Sequence, residues 1–230
     1  PAMPADAPTV AFENALDHCP AFAFIRGADA AAVMHTASAC AAGGFRLLAI
    51  SAQAPQATTV ISALRPRPDF LPGLAGATER SQVEAAVAVG AGFILGAHRV
   101  PGAAAIAGAA GIPWVPGAMT PGEVAACVAD GAQTVALFPA ASAGGPRHLR
   151  FLQETFPGVA FIALGGIAGD TLAAWMDAGA RAVGLGGALY APALQRAGDW
   201  GTIRGYAATT HQEACRHSRK ARGTTTRRPA

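Results

Sequence analysis

Short apolar stretches alternate with longer alanine-rich stretches along most of the chain. Eight of the short stretches have the length of buried strands. They cover residues 21–26, 45–51, 69–75, 92–96, 112–116, 134–138, 159–164 and 182–185. Helix-length segments lie at residues 29–42, 55–64, 81–90, 101–110, 121–130, 146–156, 169–179 and 198–215. Because a helix separates each strand from the next, this alternation predicts a parallel sheet.

The ends of the helical segments carry start and stop signals. Thr120-Pro121-Gly122-Glu123 places threonine at the N-cap, proline at the first helical position and glutamate at the third, which predicts a capping box. Glycines that follow helical segments, where the left-handed conformation favours them, are Gly43, Gly90, Gly111, Gly131 and Gly179. Eight strand–helix units of one hand predict a (β/α)8 TIM barrel of the α/β class, and an open doubly wound sheet is the alternative.

Length and composition are consistent with a single barrel domain. The chain has 230 residues, of which 52% are hydrophobic and 13% charged, so a disordered body is excluded. We expect an N-terminal extension or helix at 1–20, the barrel at 21–215 and a basic disordered tail at 216–230. Neither a long apolar run nor a signal-peptide pattern is present, which favours a cytoplasmic protein without a membrane partner.

The basic residues are concentrated at the end of the chain. The formal net charge is +3, but six of the 17 lysines and arginines fall within 216–230, leaving 11 basic against 14 acidic residues before it. We interpret the tail as solvated, and nucleic acid is therefore a disfavoured partner.

The four cysteines lie far apart in the sequence, at positions 19, 40, 127 and 215, without a C-x-x-C pair. This spacing favours free buried thiols over a disulfide framework or a zinc knuckle. We therefore expect neither a metal site nor a cofactor.

Two glycine pairs follow the last two predicted strands. They are Gly165-Gly166 and Gly186-Gly187. In barrels of this kind the loops after strands 7 and 8 commonly bind phosphate through backbone N–H groups, and glycine allows an anion to approach closely. Arg26, at the end of the first strand, adds a cation that can bind a carboxylate or phosphate. The sequence thus predicts an anion site, with tight turns alone as the alternative.

The middle of the chain carries more specific motifs. Residues 116–123 read P-G-x-x-T-P-x-E, and residues 138–140 read F-P-A. With the glycine pairs, they resemble the class I aldolases that cleave 2-keto-3-deoxy-6-phosphogluconate (KDPG) and 4-hydroxy-2-oxoglutarate (KHG), over residues 22–190. The resemblance implies a homotrimer and a ligand that is a phosphorylated small molecule or keto acid. It also implies a pocket near Ala49, Thr78, Pro116, Ala136 and Phe138.

The resemblance fails at the residues that carry the family's chemistry. The family has a Schiff-base lysine where this chain has Ala136, and a general acid/base glutamate where it has Ala49. An alanine methyl forms no imine, and arginine is too weak a nucleophile to replace lysine. The only lysine in the chain is Lys220, in the expected tail.

Three hypotheses remain from the sequence. The first is a catalytically degenerate relative that keeps an anion-binding mouth and serves as a sensor or scaffold. The second is a lyase or isomerase that acts on a phosphorylated keto or sugar acid without a Schiff base, with Glu79 or His98 as its general base. The third is a structural barrel that binds nothing.

Overall fold

The protein is a single-domain α/β barrel, as the sequence predicts. The computed structural model describes residues 7–187 and 189–225, and the side chains of residues 8–187 and 189–217. The strands are β1 (Ala21–Ile25), β2 (Leu47–Ser51), β3 (Leu71–Ala77), β4 (Ile94–Gly96), β5 (Trp114–Val115), β6 (Gly117–Ala118), β7 (Thr134–Leu137), β8 (Ala160–Leu164) and β9 (Ala182–Leu185). Every pair is parallel, and the sheet order is β5-β4-β3-β2-β1-β9-β8-β7-β6.

The two outermost strands of that order are the halves of the fifth strand, and only β5 falls within the predicted range 112–116. β5 pairs with β4 and β6 pairs with β7, and Pro116 separates the two halves. Proline has no N–H to donate, so the ladder is interrupted there. The carbonyl oxygen of Pro116 still accepts a 2.8 Å hydrogen bond from the N–H of Ala136. The predicted eight-strand barrel therefore closes through a fifth strand in two pieces.

The helices surround the strands. They are α1 (Ala7–His18), α2 (Ala30–Ala42), α3 (Ala57–Leu64), α4 (Arg80–Ala88), α5 (Ala103–Ala109), α6 (Pro121–Ala129), α7 (Gly145–Thr155), α8 (Leu172–Asp177), α9 (Pro192–Ala197) and α10 (Trp200–Thr225), with a 3-10 turn at Gly169–Thr171. Among the residues the structure describes, no helix combines the length and the apolar character needed to cross a membrane.

The helix α10 differs from the expected disordered tail. It continues to Thr225, ten residues past the predicted barrel boundary at residue 215, and residues 226–230 lie outside the described residues. The helical pattern does not stop at residue 215, because Arg, Lys and Ala, which follow it, are good helix formers and no proline occurs between residue 215 and residue 229.

Helix α1 closes the N-terminal end of the barrel. It falls within the predicted extension at 1–20, of which residues 1–6 lie outside the described part. Its Phe12 packs against Phe22 and Phe93, with ring centroids 5.9 and 5.3 Å apart, and these residues belong to the cluster that fills the barrel. Arg181 ties the helix to the start of β9 through ion pairs with Glu13 and Asp17 at 3.1 and 2.6 Å. Because its apolar face is buried, α1 is part of the barrel core.

The predicted capping box at the start of α6 is confirmed. The carboxylate of Glu123 accepts hydrogen bonds from the N–H groups of Met119 and Thr120, both at 2.8 Å. The hydroxyl of Thr120 accepts a 3.4 Å bond from the N–H of Glu123. These backbone donors hold the pKa of Glu123 below its usual value of 4.5, against a smaller opposing effect of burial.

We expect Glu123→Gln to lower the stability of the protein at neutral pH and to lose this effect in acid. The lowered pKa of Glu123 contributes stability above its unfolded value, and the contribution disappears as the pH falls through the folded value. A charge at a helix N-terminus is worth about 0.3–1 kcal/mol, so the gap in urea unfolding free energy should have this size near neutrality. Glutamine keeps an acceptor, which isolates the charge. A gap that is unchanged below pH 4.5 would contradict the assignment.

Candidate functional site

A cavity of about 350 Å³ opens at the carboxyl ends of the strands, where β1, β8 and β9 meet. Both predicted glycine pairs and Arg26 belong to its wall. The residues that line it are Phe24, Arg26, Phe138, Leu164, Gly165, Gly166, Ile167, Ala168, Gly184, Gly186, Gly187 and Tyr190. Arg26 is the one charged residue among these, so the field in the cavity favours an anion.

The first glycine pair supplies backbone donors. Gly165 and Gly166 have φ of 93° and 77°, a left-handed conformation that side chains rarely adopt. Among the described residues, no hydrogen-bond acceptor lies within reach of the N–H groups of Gly165, Gly166 and Ile167. Successive N–H groups in such a turn form a concave binding site for an anion.

The second glycine pair borders the cavity differently. A Cβ built on Gly187 would meet nothing within 4 Å, whereas one on Gly186 would lie 3.3 Å from the carbonyl oxygen of Phe24. Gly186 thus allows the chain to pass close to β1, and Gly187 faces open space. The next helix, α9, starts only at Pro192, so the pair itself is not the start of a helix.

Tyr190 holds the backbone at the end of β1, which carries Arg26, in place. Its hydroxyl donates a 2.8 Å hydrogen bond to the carbonyl oxygen of Phe24 and accepts a 2.7 Å bond from the N–H of Arg26. Burial raises the pKa of Tyr190 to about 12, so the phenol stays protonated. The guanidinium carbon of Arg26 lies 5.1 Å from the centre of the Phe24 ring, which supports it from one side. The sequence reasoning missed Tyr190, although it stands three residues after the second glycine pair.

The barrel interior below the cavity is apolar. Ala49 of β2 and Ala136 of β7 are completely buried and belong to the same interior cluster as Leu95, Ile162 and Leu164. Both methyl groups therefore project into the barrel, at the level of the sheet just below its mouth. The arrangement offers neither an amine nor a carboxylate at these two positions.

The comparisons with known proteins agree with this architecture. The model of the family described as KDPG and KHG aldolase matches residues 12–205 of the chain. The chain belongs to the KDPG and KHG aldolase family. The match includes every strand, both glycine pairs, and the positions of Ala49 and Ala136.

Individual relatives in this family are aldolases. The 2-dehydro-3-deoxy-6-phosphogalactonate aldolase of Escherichia coli (strain K12) is 29% identical over 174 residues, which is 74% of this chain and 84% of the relative. The 2-dehydro-3-deoxy-phosphogluconate aldolase of Pseudomonas aeruginosa is 27% identical over 173 residues, covering 74% and 78% of the two chains.

Solved structures of the family superpose over most of the chain. The native KDPGal structure has a TM-score of 0.76 at 27% identity and covers 87% of this chain and 96% of its own. The KDPG aldolase from Legionella pneumophila, with pyruvate captured as a covalent carbinolamine, has a TM-score of 0.77 and covers 86% and 96%. Its identity of 23% supports the fold alone.

Thr78, predicted to line the pocket, and Glu79, a candidate general base, lie at a helix start instead of in the cavity. Glu79 is the N-cap of α4, and its carboxylate accepts a 3.2 Å hydrogen bond from the hydroxyl of Ser81. The N–H of Thr78 donates a 2.8 Å bond to the side-chain oxygen of Gln82, on the same helix. Both residues are exposed. The side-chain oxygen of Gln82 accepts from the N–H groups of both Thr78 and Glu79, so the two residues belong to the start of α4.

His98 and Pro116 are also separated from Arg26. His98 lines a neighbouring cavity of about 490 Å³ that shares only Phe138 with the first. Its Nε2 lies 3.0 Å from the carbonyl oxygen of Thr78, and its Nδ1 lies 2.9 Å from that of Arg99. Both ring nitrogens therefore face acceptors, and neither is directed at a ligand space. Pro116 borders a groove on the outside of the fifth strand, and only Phe138 of the predicted pocket residues lines the first cavity.

Proposed function

We propose that this protein is a non-catalytic member of its aldolase family that binds an anion at the barrel mouth. The supporting observation is the paired replacement inside the barrel, where Ala136 and Ala49 present methyl groups at the positions of the expected lysine and glutamate. The relatives are named as aldolases, but Schiff-base chemistry needs a primary amine. The single lysine, Lys220, lies on α10, outside the ring of strands.

The chemistry of the ligand follows from the wall of the cavity. Free N–H groups at Gly165 and Gly166, together with the guanidinium of Arg26, favour a phosphate or a carboxylate. Apolar neighbours such as Phe24 and Leu164 accommodate a short carbon chain. We propose that the ligand is a phosphorylated small molecule or a keto acid. The protein that binds it would serve as a sensor or a scaffold.

A different lyase or isomerase mechanism receives less support from the geometry. Glu79 caps α4, and the ring nitrogens of His98 face two carbonyl oxygens in another cavity. A general base must reach the proton that it removes within hydrogen-bond distance or through one water. Neither group borders the cavity that contains Arg26.

We expect the protein to form no covalent adduct with pyruvate and borohydride. Reduction of a Schiff base would add the pyruvate carbons to a lysine, and intact mass spectrometry would detect the product. Ala136→Lys provides the matched positive control, because its amine would project into the barrel interior and burial would favour the nucleophilic neutral form. A stoichiometric adduct on Lys220, or cleavage of KDPG or KHG to pyruvate by the unmodified chain, would contradict the non-catalytic proposal.

The ligand and the assembly can be tested separately. At about 100 times its dissociation constant, a bound phosphate or phosphosugar should stabilise the fold by roughly 2.7 kcal/mol. No thermal shift with phosphate, pyruvate or phosphosugars would instead favour a barrel that binds nothing. We further propose a homotrimer from the family resemblance, and light scattering that gives the mass of one chain would refute it.

A further inference from the structure

Three side chains with metal-binding atoms meet at the barrel end opposite the cavity. The ligand atoms of Cys19, His211 and Cys215 all lie within 4.8 Å of one another. Cys215 Sγ is 3.5 Å from His211 Nε2, and Cys19 Sγ is 3.7 Å from the carbonyl oxygen of His211. Cys19 and Cys215 lie near opposite ends of the chain, so their spacing in the sequence does not indicate that they meet.

The spacing of these atoms matches a tetrahedral metal site. With a zinc–sulfur distance of about 2.3 Å and a zinc–nitrogen distance of about 2.0–2.1 Å, neighbouring sulfur and nitrogen ligands are separated by about 3.6 Å. The 3.5 Å between Cys215 and His211 is one such edge. The longer separations in the cluster are within reach of a χ1 rotation of a cysteine.

The fold holds all three side chains in place. His211 and Cys215 are four residues apart on α10 and therefore lie on the same face of the helix. Cys19 lies directly between α1 and β1, and its N–H donates a 3.0 Å bond to the carbonyl oxygen of Ala15. The imidazole of His211 packs edge-on against Phe45, at 5.6 Å between centroids, and a Cβ on Gly44 would lie 2.7 Å from Nδ1.

Burial shifts the pKa of two of the proposed ligands, and a bound cation would offset this effect at the Cys19 thiol. Burial, with help from His18 and Arg46, lowers the pKa of His211. Its Nε2 lies 3.5 Å from the Sγ of Cys215, where a second ligand atom is required. Burial and the neighbouring Cys215 raise the pKa of the Cys19 thiol. A bound divalent cation would offset that effect, because coordination deprotonates a thiol outright.

We propose that Cys19, His211 and Cys215 bind one zinc ion, with a water molecule as the fourth ligand. Among the common divalent cations, zinc is the one that favours a site made of two thiolates and an imidazole. On binding, the two thiols release their protons to solvent, the sulfurs and the imidazole nitrogen each donate an electron pair, and no oxidation occurs. The ion would join the segment between α1 and β1 to α10, and these lie near the two ends of the barrel sequence. The zinc proposal does not depend on the proposed anion site.

The test uses the full-length chain, reduced, stripped with a chelator and then incubated with zinc chloride. After desalting, elemental analysis should give one zinc per chain. Cobalt chloride should produce visible absorption with thiolate charge-transfer bands. Cys215→Ser, at a half-buried position, should weaken zinc binding by more than the roughly 10–100-fold that follows loss of a ligand's hydrogen-bond partner. Cys19→Ser and His211→Gln should act in the same way.

Cys127→Ser is the matched control. Cys127 is also buried, but its Sγ contacts the carbonyl oxygen of Gly117, away from the cluster, so this variant should retain its zinc. Three results would overturn the proposal: no zinc on the unmodified chain, equal retention by Cys215→Ser, or a Cys19–Cys215 disulfide. The disulfide would appear as the loss of two hydrogen atoms in the intact mass before reduction, with no zinc bound.

Discussion

Gly187→Val is expected to abolish the stabilisation of the protein by phosphate and to leave the fold intact. A Cβ at this position meets no atom within 4 Å, and its φ lies outside the left-handed region, so the variant carries little strain. The valine methyl groups would instead occupy part of the cavity of about 350 Å³. The whole shift, about 2.7 kcal/mol at 100 times the dissociation constant, should disappear from thermal unfolding curves.

Gly187 is a better position for the valine than Gly166 because of its backbone conformation. A valine at Gly166 would have to adopt a φ of 77° and would place its Cβ 2.7 Å from that of Ala141, so a lost shift would be confounded with strain. Gly158→Val is the matched control, since its Cβ also meets nothing within 4 Å and it precedes β8 at the far end of the barrel. A phosphate shift that survives in Gly187→Val would place the anion elsewhere.

Phe93→Ala is expected to destabilise the barrel by about 3–5 kcal/mol, the range for deleting a buried aromatic side chain. Phe93 is completely buried, and its ring contacts those of Phe12 and Phe22 at 5.3 and 5.5 Å. A Cβ on Gly73 would lie 2.6 Å from the Phe93 ring, so the strand beside it is already in direct contact. Because domains are stable by only about 5–15 kcal/mol, this loss should be prominent in urea unfolding.

Phe151→Ala provides the comparison for this aromatic deletion. Phe151 lies on α7 with 53% of its surface exposed, and substitutions at such sites usually change stability by less than about 0.5 kcal/mol. A similar loss in the two variants would show that α1 does not seal the barrel as described. A small loss for Phe93→Ala alone would show that its neighbours can collapse into the space.

Hydrophobic patterning predicted the strands and the closed barrel because burial repeats along the sequence. The internal break at Pro116 was visible in principle, since proline cannot donate to a ladder. The pair Gly43-Gly44 shows a limit of local reasoning. The expected left-handed residue was Gly43, whose φ is −79°, whereas Gly44 has φ of 107°. Both glycines pack against α10, since a Cβ on Gly43 would lie 2.5 Å from that of Ala207 and one on Gly44 would lie 2.7 Å from Nδ1 of His211.

The helix α9 was missed although its sequence signals are ordinary. Pro192 occupies its first turn, and Gly198 ends it with φ of 67°. The cavity bordered by both glycine pairs was predictable because the carboxyl ends of parallel strands share one edge of a barrel. The roles of Glu79 and His98 were not, because a side chain at a strand end can turn to a helix terminus or a carbonyl as easily as to a ligand. The Cys19 cluster depends on contacts between distant parts of the chain.

The broken fifth strand bears on how the barrel exchanges its amide protons with solvent. β5 and β6 have two residues each, and a groove of about 660 Å³ lies outside them between α5 and α6. Local opening occurs where few buried contacts and few hydrogen bonds must be lost. The N–H groups of Ala136 and Phe138, which bond to Pro116 and Ala118, should therefore exchange before those shared by β1 and β2. Deuterium should therefore enter the barrel first at the break between β5 and β6.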